Sequence, residues 1–255
     1  MLFGDRADAG RQLAEQLLHL RGQPVVVLGL PRGGVPVAAQ VARVLGAPLD
    51  VIVVRKLGVP FQPELGMGAV GEDGVRVIDP EIVRQVGVSG PELEQVEARE
   101  RAEVASRVRR YRGHQDRVSL TGKTAVIVDD GIATGSTARA ACQVARALGA
   151  ARVVLAVPVA SRGWEDRIGW DADEMVCVAT PAPFFAIGQF YADFTQTSDD
   201  EVVRCLSDAA ARTADPSAGA RAPGQPGGTG QQGGTGQQGG TGRSPGAGHP
   251  SRAPR

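Results

Sequence analysis

Short apolar runs alternate with segments of helical period along the first two hundred residues. A stripe of Leu13, Leu17 and Leu20 predicts an amphipathic helix over Asp5–Leu20. The run VVVLGL, Val25–Leu30, contains no polar residue, as in a strand covered on both faces. Pro31–Gly34 forms a loop, and a helix follows over Val35–Leu45, stopped by Gly46 at a C′ position. A second strand, Asp50–Val54, ends in Arg55-Lys56. Strand, helix, strand in this order is a βαβ unit, so the two strands are expected to be parallel.

Leu57–Gly74 is rich in Gly and Pro and has no clear period, the pattern of a functional flap or mobile segment. Within VGEDGV (Val70–Val75), Asp73-Gly74 is a hairpin-turn signal. Ser89 and Glu92 have capping-box spacing. They open a heavily charged helix to about Tyr111, with a thin stripe of Leu93, Val96, Val104, Val108 and Tyr111, which predicts a solvated helix lying on the domain. A strand over Ala125–Asp129, a helix from about Thr137 to Leu148 and a strand over Val153–Val157 come next. A short polar helix near Arg162–Ile168, a strand over Met175–Ala179 and a last helix over Asp199–Ala211 complete the series. VARVLGAP (Val41–Pro48) and VARALGAA (Val144–Ala151) are near copies in the same structural slot. Nothing recurs at a short fixed period, so the expectation is two βαβ halves of one doubly wound sheet rather than a solenoid.

Composition changes this picture at the end of the chain. From Arg212 on, Gly, Gln, Pro and Ser dominate and GGTGQQ recurs. Such a segment has nothing to bury, which predicts a folded domain over residues 1–211 and a disordered tail over 212–255. The formal net charge of the 255 residues is zero, with no global field toward nucleic acid or membrane. That balance hides an asymmetry. Five arginines in the tail (Arg212, Arg221, Arg243, Arg252, Arg255) face one acid, Asp215, so the tail carries +4 and the rest −4. Cys142, Cys177 and Cys205 form no C-x-x-C and fit buried thiols in a reducing compartment. No apolar run approaches the ~18 residues of a membrane helix, and MLFGDRADAGRQ lacks a signal-peptide core. The expected location is cytoplasmic.

Candidate chemistry concentrates in Thr124–Thr137, TAVIVDDGIATGST. Two adjacent carboxylates at the end of a buried strand are costly unless they bind something. The turn behind them supplies backbone N–H groups and hydroxyls where a helix begins, a ready anion site. Polyol-binding carboxylates beside a phosphate cradle suggest a phosphorylated sugar.

VIVDDGIATGST closely resembles the phosphoribosyl-diphosphate (PRPP) signature of type I phosphoribosyltransferases. The resemblance extends to Pro31-Arg32-Gly33-Gly34, placed like the family's pyrophosphate loop. It includes Arg55-Lys56, similar to the pair that adenine- and orotate-type members carry before their mobile loop. It implies a PRTase-type α/β fold: a doubly wound, mostly parallel sheet flanked by helices, with a small hood from N- and C-terminal segments. It gives Asp129 and Asp130 the ribose hydroxyls and wraps the 5′-phosphate in Ala133, Thr134, Gly135, Ser136 and Thr137. Arg32, Gly33 and Gly34 would meet the diphosphate with Arg55 and Lys56, and Leu57–Val75 would close over the donor. Mg²⁺ would arrive with PRPP near Asp129 and Asp130, with no direct protein metal site. Acids turned inward onto neighbouring arginines would undercut this grip.

The implied reaction moves ribose 5-phosphate from PRPP to a nitrogenous acceptor and releases pyrophosphate. Ala133, where 6-oxopurine-using members carry an acid, disfavours hypoxanthine and guanine, and the DD pair is nearest the adenine type. The rival is a PRPP- or nucleotide-sensing regulator without turnover; a hydrolase on the same scaffold is a third option. Expected partners are PRPP and an unidentified acceptor, without nucleic acid or membrane. A homodimer is compatible with this expectation.

Several features have competing interpretations. Gly66–Gly71 matches G-x-G-x-x-G but leads into a hairpin, not from strand to helix, so the dinucleotide interpretation fails. Gly29–Gly34 has P-loop spacing without the Lys-Ser/Thr. Arg107, Arg109, Arg110 and Arg112 lie among acids without interleaved aromatics, which argues against nucleic acid. Glu64 is expected to be a plain exposed acid, though it could pair with Arg55 or act on the acceptor. Pro181–Leu206 carries five of the eight Phe and Tyr residues, either as a mini-core or as a stacking lid over an acceptor.

Overall fold

The computed structural model describes residues 1–113 and 115–214; the expected tail lies almost wholly outside them. The chain runs α1 (Arg6–Gln16), β1 (Val25–Gly29), α2 (Gly34–Leu45), β2 (Leu49–Val51), β3 (Arg55–Val59), β4 (Gln62–Val70) and β5 (Arg76–Ile78). Then come α3 (Pro80–Val86), α4 (Gly90–Arg112), β6 (Thr124–Val128), α5 (Ser136–Ala147), β7 (Arg152–Val159), α6 (Trp164–Ile168), β8 (Glu174–Ala179) and α7 (Asp199–Ala214).

The apolar runs pair as a five-stranded parallel sheet in the order β2-β1-β6-β7-β8. β1 and β6 are buried along their whole lengths because both faces are covered. On one face Val27, Val126 and Val154 meet Leu13 of α1, Leu17 just after it, and Val37 and Val41 of α2. On the other, Leu28, Ile127 and Leu155 meet Ala138, Ala141 and Ala145 of α5. Each fully buried Val or Leu contributes about 1.5–3 kcal/mol. Register sets the functional edge: Gly29 lies opposite Val128, so both central strands finish level and their following turns leave the sheet together. This is the doubly wound architecture that the alternation predicts.

The segment expected as a functional flap or mobile segment is built as a second sheet. β3, β4 and β5 form an antiparallel meander, and Asp73 and Gly74 turn it at φ 53° and 76°. The glycines that hide its alternation permit close strand approach. A Cβ on Gly58 would lie 2.5 Å from the Pro63 carbonyl oxygen, and one on Gly68 would collide with that of Val77. The strand expected over Asp50–Val54 stops at Val51, because Val53 N–H is taken by the Glu72 carboxylate at 3.0 Å rather than by a strand. Arg55 and Lys56 therefore open β3 instead of closing a strand of the main sheet.

α4 has its capping box at Ser89 and Glu92, with Ser89 N–H donating to Glu92 at 2.9 Å. Its thin stripe is a packing face: Leu93, Val96, Val104 and Tyr111 cover Leu57, Met67 and Val70 of the second sheet. Helix α3, capped by Asp79, has no counterpart in the sequence prediction.

The ends of the fold meet as a hood. Phe3 pairs with Tyr191, and its N–H donates to the Phe190 carbonyl at 3.0 Å. Phe3, Phe184, Phe190, Tyr191 and Phe194 form the local core, while Phe185 points into solvent. Among the described residues no helix is long and apolar enough to cross a membrane.

Candidate active site

Asp129 and Asp130 stand at the carboxyl end of β6, beside the turn that follows β1. Asp130 N–H donates to Asp129 Oδ1 at 2.9 Å. Asp130, expected to hold a ribose hydroxyl, is engaged by an arginine. Its Oδ2 accepts from Arg6 Nε at 2.9 Å, with the two side chains only 13% and 12% exposed. Tyr191 OH donates to the Asp130 carbonyl at 2.6 Å. One acid is therefore turned onto an arginine, the arrangement that would undercut a ribose grip. The contact uses one of the two carboxylate oxygens, and a carboxylate accepts at both. Burial pushes the Asp129 carboxyl well above its ordinary pKa, and the neighbouring Asp130 charge adds to this. Burial also raises Asp130, partly offset by the Arg6 charge and hydrogen bond.

The two glycines after Arg32 are demanded by this neighbour. A Cβ on Gly33 would collide with Asp130 Oδ2, and one on Gly34 would lie 2.5 Å from the Val128 carbonyl oxygen and 2.8 Å from Asp129 Cα. Pro31–Gly34 and Asp129-Asp130 are thus packed in direct contact, although about a hundred residues separate them. The Pro31–Arg32 peptide is cis. Arg32 itself points elsewhere: its Nη1 lies 3.9 Å from Asp199 at the start of α7. Asp199 also accepts from Tyr111 OH and from Arg110 Nε, each at 2.9 Å.

Beyond the acids, the chain passes through Ala133 and Thr134 to Gly135, which precedes α5 with φ 84° and provides no side-chain cap. The first N–H groups of α5, at Ser136 and Thr137, have no intrahelical acceptor and carry the positive end of the helix dipole. The Ala133 carbonyl is held by Ser161 OH at 2.7 Å and Arg167 Nη2 at 3.1 Å, which steadies the turn.

Arg55 and Lys56 reach this edge from the second sheet. With Leu30, Pro31, Arg107 and Thr137 they line a cleft of about 330 Å³. Lys56 also borders a cleft of about 500 Å³ that contains Thr134, Ser136, Arg139 and Arg167. Arg55 Nε is held by Glu100 at 2.8 Å. Burial works against the Glu100 carboxylate, but the hydrogen bonds from Arg55 and Arg99 prevail and hold its pKa below the ordinary value. Glu64 is exposed, as predicted, and lies 3.6 Å from Lys56 rather than near Arg55.

The structure thus gathers the acid pair, the two glycines, the α5 start and the Arg55-Lys56 pair around one edge, while Arg32 faces Asp199. Sequence patterns miss Arg6, Tyr191 and Asp199, whose contacts here are long-range. They set Arg107 in a surface cluster, although it lines the smaller cleft. Arg112 of that cluster is buried. Among the described residues no three His, Cys, Asp or Glu side chains are grouped to hold a metal ion.

Residues 4–194 match the family model "Phosphoribosyl transferase domain". Two relatives from Mycobacterium tuberculosis, strains H37Rv and CDC 1551, are each named "Putative phosphoribosyl transferase" and are 62% identical over 205 residues. The match covers 80% of this chain and 46% of each relative, so the chain spans about half the length of the curated relatives it matches. The crystal structure of TT1426 from Thermus thermophilus is similar with a TM-score of 0.76 at 44% identity. That match covers 82% of this chain and 99% of the Thermus chain.

Proposed function

Because the chain belongs to the phosphoribosyl transferase domain family, we propose that it transfers ribose 5-phosphate from PRPP to a nitrogenous acceptor and releases pyrophosphate. The carrying observation is the direct packing of Gly33 and Gly34 against Asp129 and Asp130, beside the uncapped start of α5. A pentose over the acids would direct its 5′-phosphate to the N–H groups of Ser136 and Thr137. Its diphosphate would extend toward Arg55 and Lys56. Such a layout suits a molecule that carries both anionic groups and hydroxyls.

In the reaction, the bond from the anomeric carbon to the diphosphate oxygen breaks and its electron pair leaves on pyrophosphate. The acceptor nitrogen forms the new bond and loses its proton to the departing pyrophosphate or to water. Asp129 and Asp130 would hold the ribose hydroxyls and favour positive charge at the nearby carbon. Arg55 and Lys56 would bind the departing anion. Mg²⁺ bound by the donor's oxygens would neutralise diphosphate charge, and the acid pair, with oxygen donors only, fits a cation that prefers one or two carboxylates plus substrate phosphates. The larger cleft beside Thr134 and Ser136 leaves room for atoms beyond the donor.

Pyrophosphate release from PRPP with Mg²⁺, measured across a panel of nucleobases, tests this. Release that depends on one base supports the proposal. Release without any base indicates a hydrolase, and PRPP binding without release on any base indicates a regulator. The absence of PRPP binding overturns the donor assignment.

A further inference from the structure

Arg6 lies in the first turn of α1, far in sequence from every motif that suggested a site. Its guanidinium is fixed on three sides. Nε donates to Asp130 Oδ2 at 2.9 Å, Nη1 donates to the Thr195 carbonyl at 2.7 Å, and the group lies 4.0 Å from the centre of the Phe194 ring. Thr195 is itself held, because its N–H and hydroxyl both donate to Asp193, at 2.9 and 2.6 Å. The Tyr191 hydroxyl holds the Asp130 backbone from the same segment. A Cβ on Gly33 would also lie only 3.2 Å from Arg6 Nε, so the glycine leaves space for the ion pair as well as for the acid.

We propose that Arg6 is a positioning residue for the donor pentose, fixing Asp130 through one oxygen so that the other faces the sugar. This rests on the donor assignment above and deepens it. A carboxylate beside another half-buried carboxylate is free to rotate or to share a proton with it. A single charge-assisted bond removes that freedom and leaves the opposite oxygen to accept a hydroxyl. The hood thereby acquires a role in binding. Thr195 and Phe194 immobilise the guanidinium, so the cost of ordering it is met on folding rather than on association. Arg6 touches no reacting atom and acts through Asp130.

The test measures three ligands by calorimetry with Mg²⁺: PRPP, ribose 5-phosphate and inorganic pyrophosphate. Wild type is compared with Arg6→Met, Arg6→Lys and Phe194→Leu, with melting curves to verify folding. Arg6→Met is expected to weaken ribose 5-phosphate and PRPP by about tenfold or more, a lost charge-assisted bond, and to leave pyrophosphate within about twofold. Arg6→Lys should recover part of the loss. Phe194→Leu should show a smaller loss with the same selectivity, and it keeps the test available if Arg6→Met does not fold. Equal affinity of wild type and the Arg6 variants for ribose 5-phosphate overturns the inference alone. So does an equal loss for all three ligands in folded variants, since that marks a general scaffold effect. A wild-type protein that binds neither PRPP nor ribose 5-phosphate overturns the donor assignment and this inference together.

Discussion

Arg112, in the last turn of α4, donates from Nε to Asp50 Oδ1 at 2.7 Å across 62 residues of sequence, with both side chains nearly inaccessible. The same guanidinium meets Glu72 in the second hairpin and donates to the Val51 carbonyl at 2.7 Å. Glu72 in turn takes the Val53 N–H that no strand claims. This buried cluster turns the chain from the main sheet into the second, and so sets where Arg55 and Lys56 arrive.

Replacing Arg112 with Leu leaves two buried acids without their cation. Removal of one partner from a buried ion pair costs about 3–5 kcal/mol. Thermal unfolding is expected to fall by roughly 2–4 °C for each kcal/mol in a domain of this size. A melting temperature within a degree of wild type would show that the cluster contributes little.

Asp129→Asn separates stability from binding. The folded-state pKa of Asp129 lies above its unfolded value, so its contribution to stability is present below the unfolded pKa and lost as pH rises through the folded one. Ionisation of Asp129 therefore works against folding as pH rises. The variant should melt higher than wild type at pH ~7.5, and the gap should close toward pH ~4, near the unfolded carboxyl pKa. It should lose at least about tenfold in PRPP affinity. A variant less stable than wild type at both pH values would contradict this linkage.

Gly34→Ala probes the contact between the two turns. Its new methyl meets the Val128 carbonyl oxygen and Asp129 Cα, which are backbone atoms that cannot swing away. Overpacking of this kind costs about 1–3 kcal/mol. Urea unfolding should show that loss at unchanged slope.

Lys56→Met should act on the donor's diphosphate, where Arg6 acts on its pentose. Affinity for PRPP and pyrophosphate is expected to fall by roughly tenfold, and that for ribose 5-phosphate by less, since Lys56 also borders the cleft of Thr134 and Ser136. Calorimetry on the three ligands checks it, and an equal loss on ribose 5-phosphate would move Lys56 away from the diphosphate end.

Much of the fold follows from local pattern. Val25–Gly29 and Thr124–Val128 are apolar without interruption, and the helices after them repeat VARVLG and VARALG; a doubly wound sheet follows from their order. The turns are equally readable at Asp73-Gly74 and Ser89–Glu92, where one residue type suits one backbone geometry. Residues 57–70 mislead because glycines and prolines that let strands approach closely also break the period-two signal. Ile52–Val54 mislead in the other direction. Strand propensity records a taste for extended, buried backbone, but a strand also needs a neighbour to accept its hydrogen bonds.

The identity of the groups that carry candidate chemistry is written in short runs: the acid pair, the two glycines after Arg32, the T-G-S-T turn and Arg55-Lys56. In each, residue types matter through nearest neighbours, so the linear order suffices. What those groups face came only with folding. Arg6 lies on Asp130, Asp199 faces Arg32, and Arg112 is enclosed by Asp50 and Glu72. Ion pairs of long sequence separation leave no periodic trace, because charges attract through space and become strong where packing has removed the water between them.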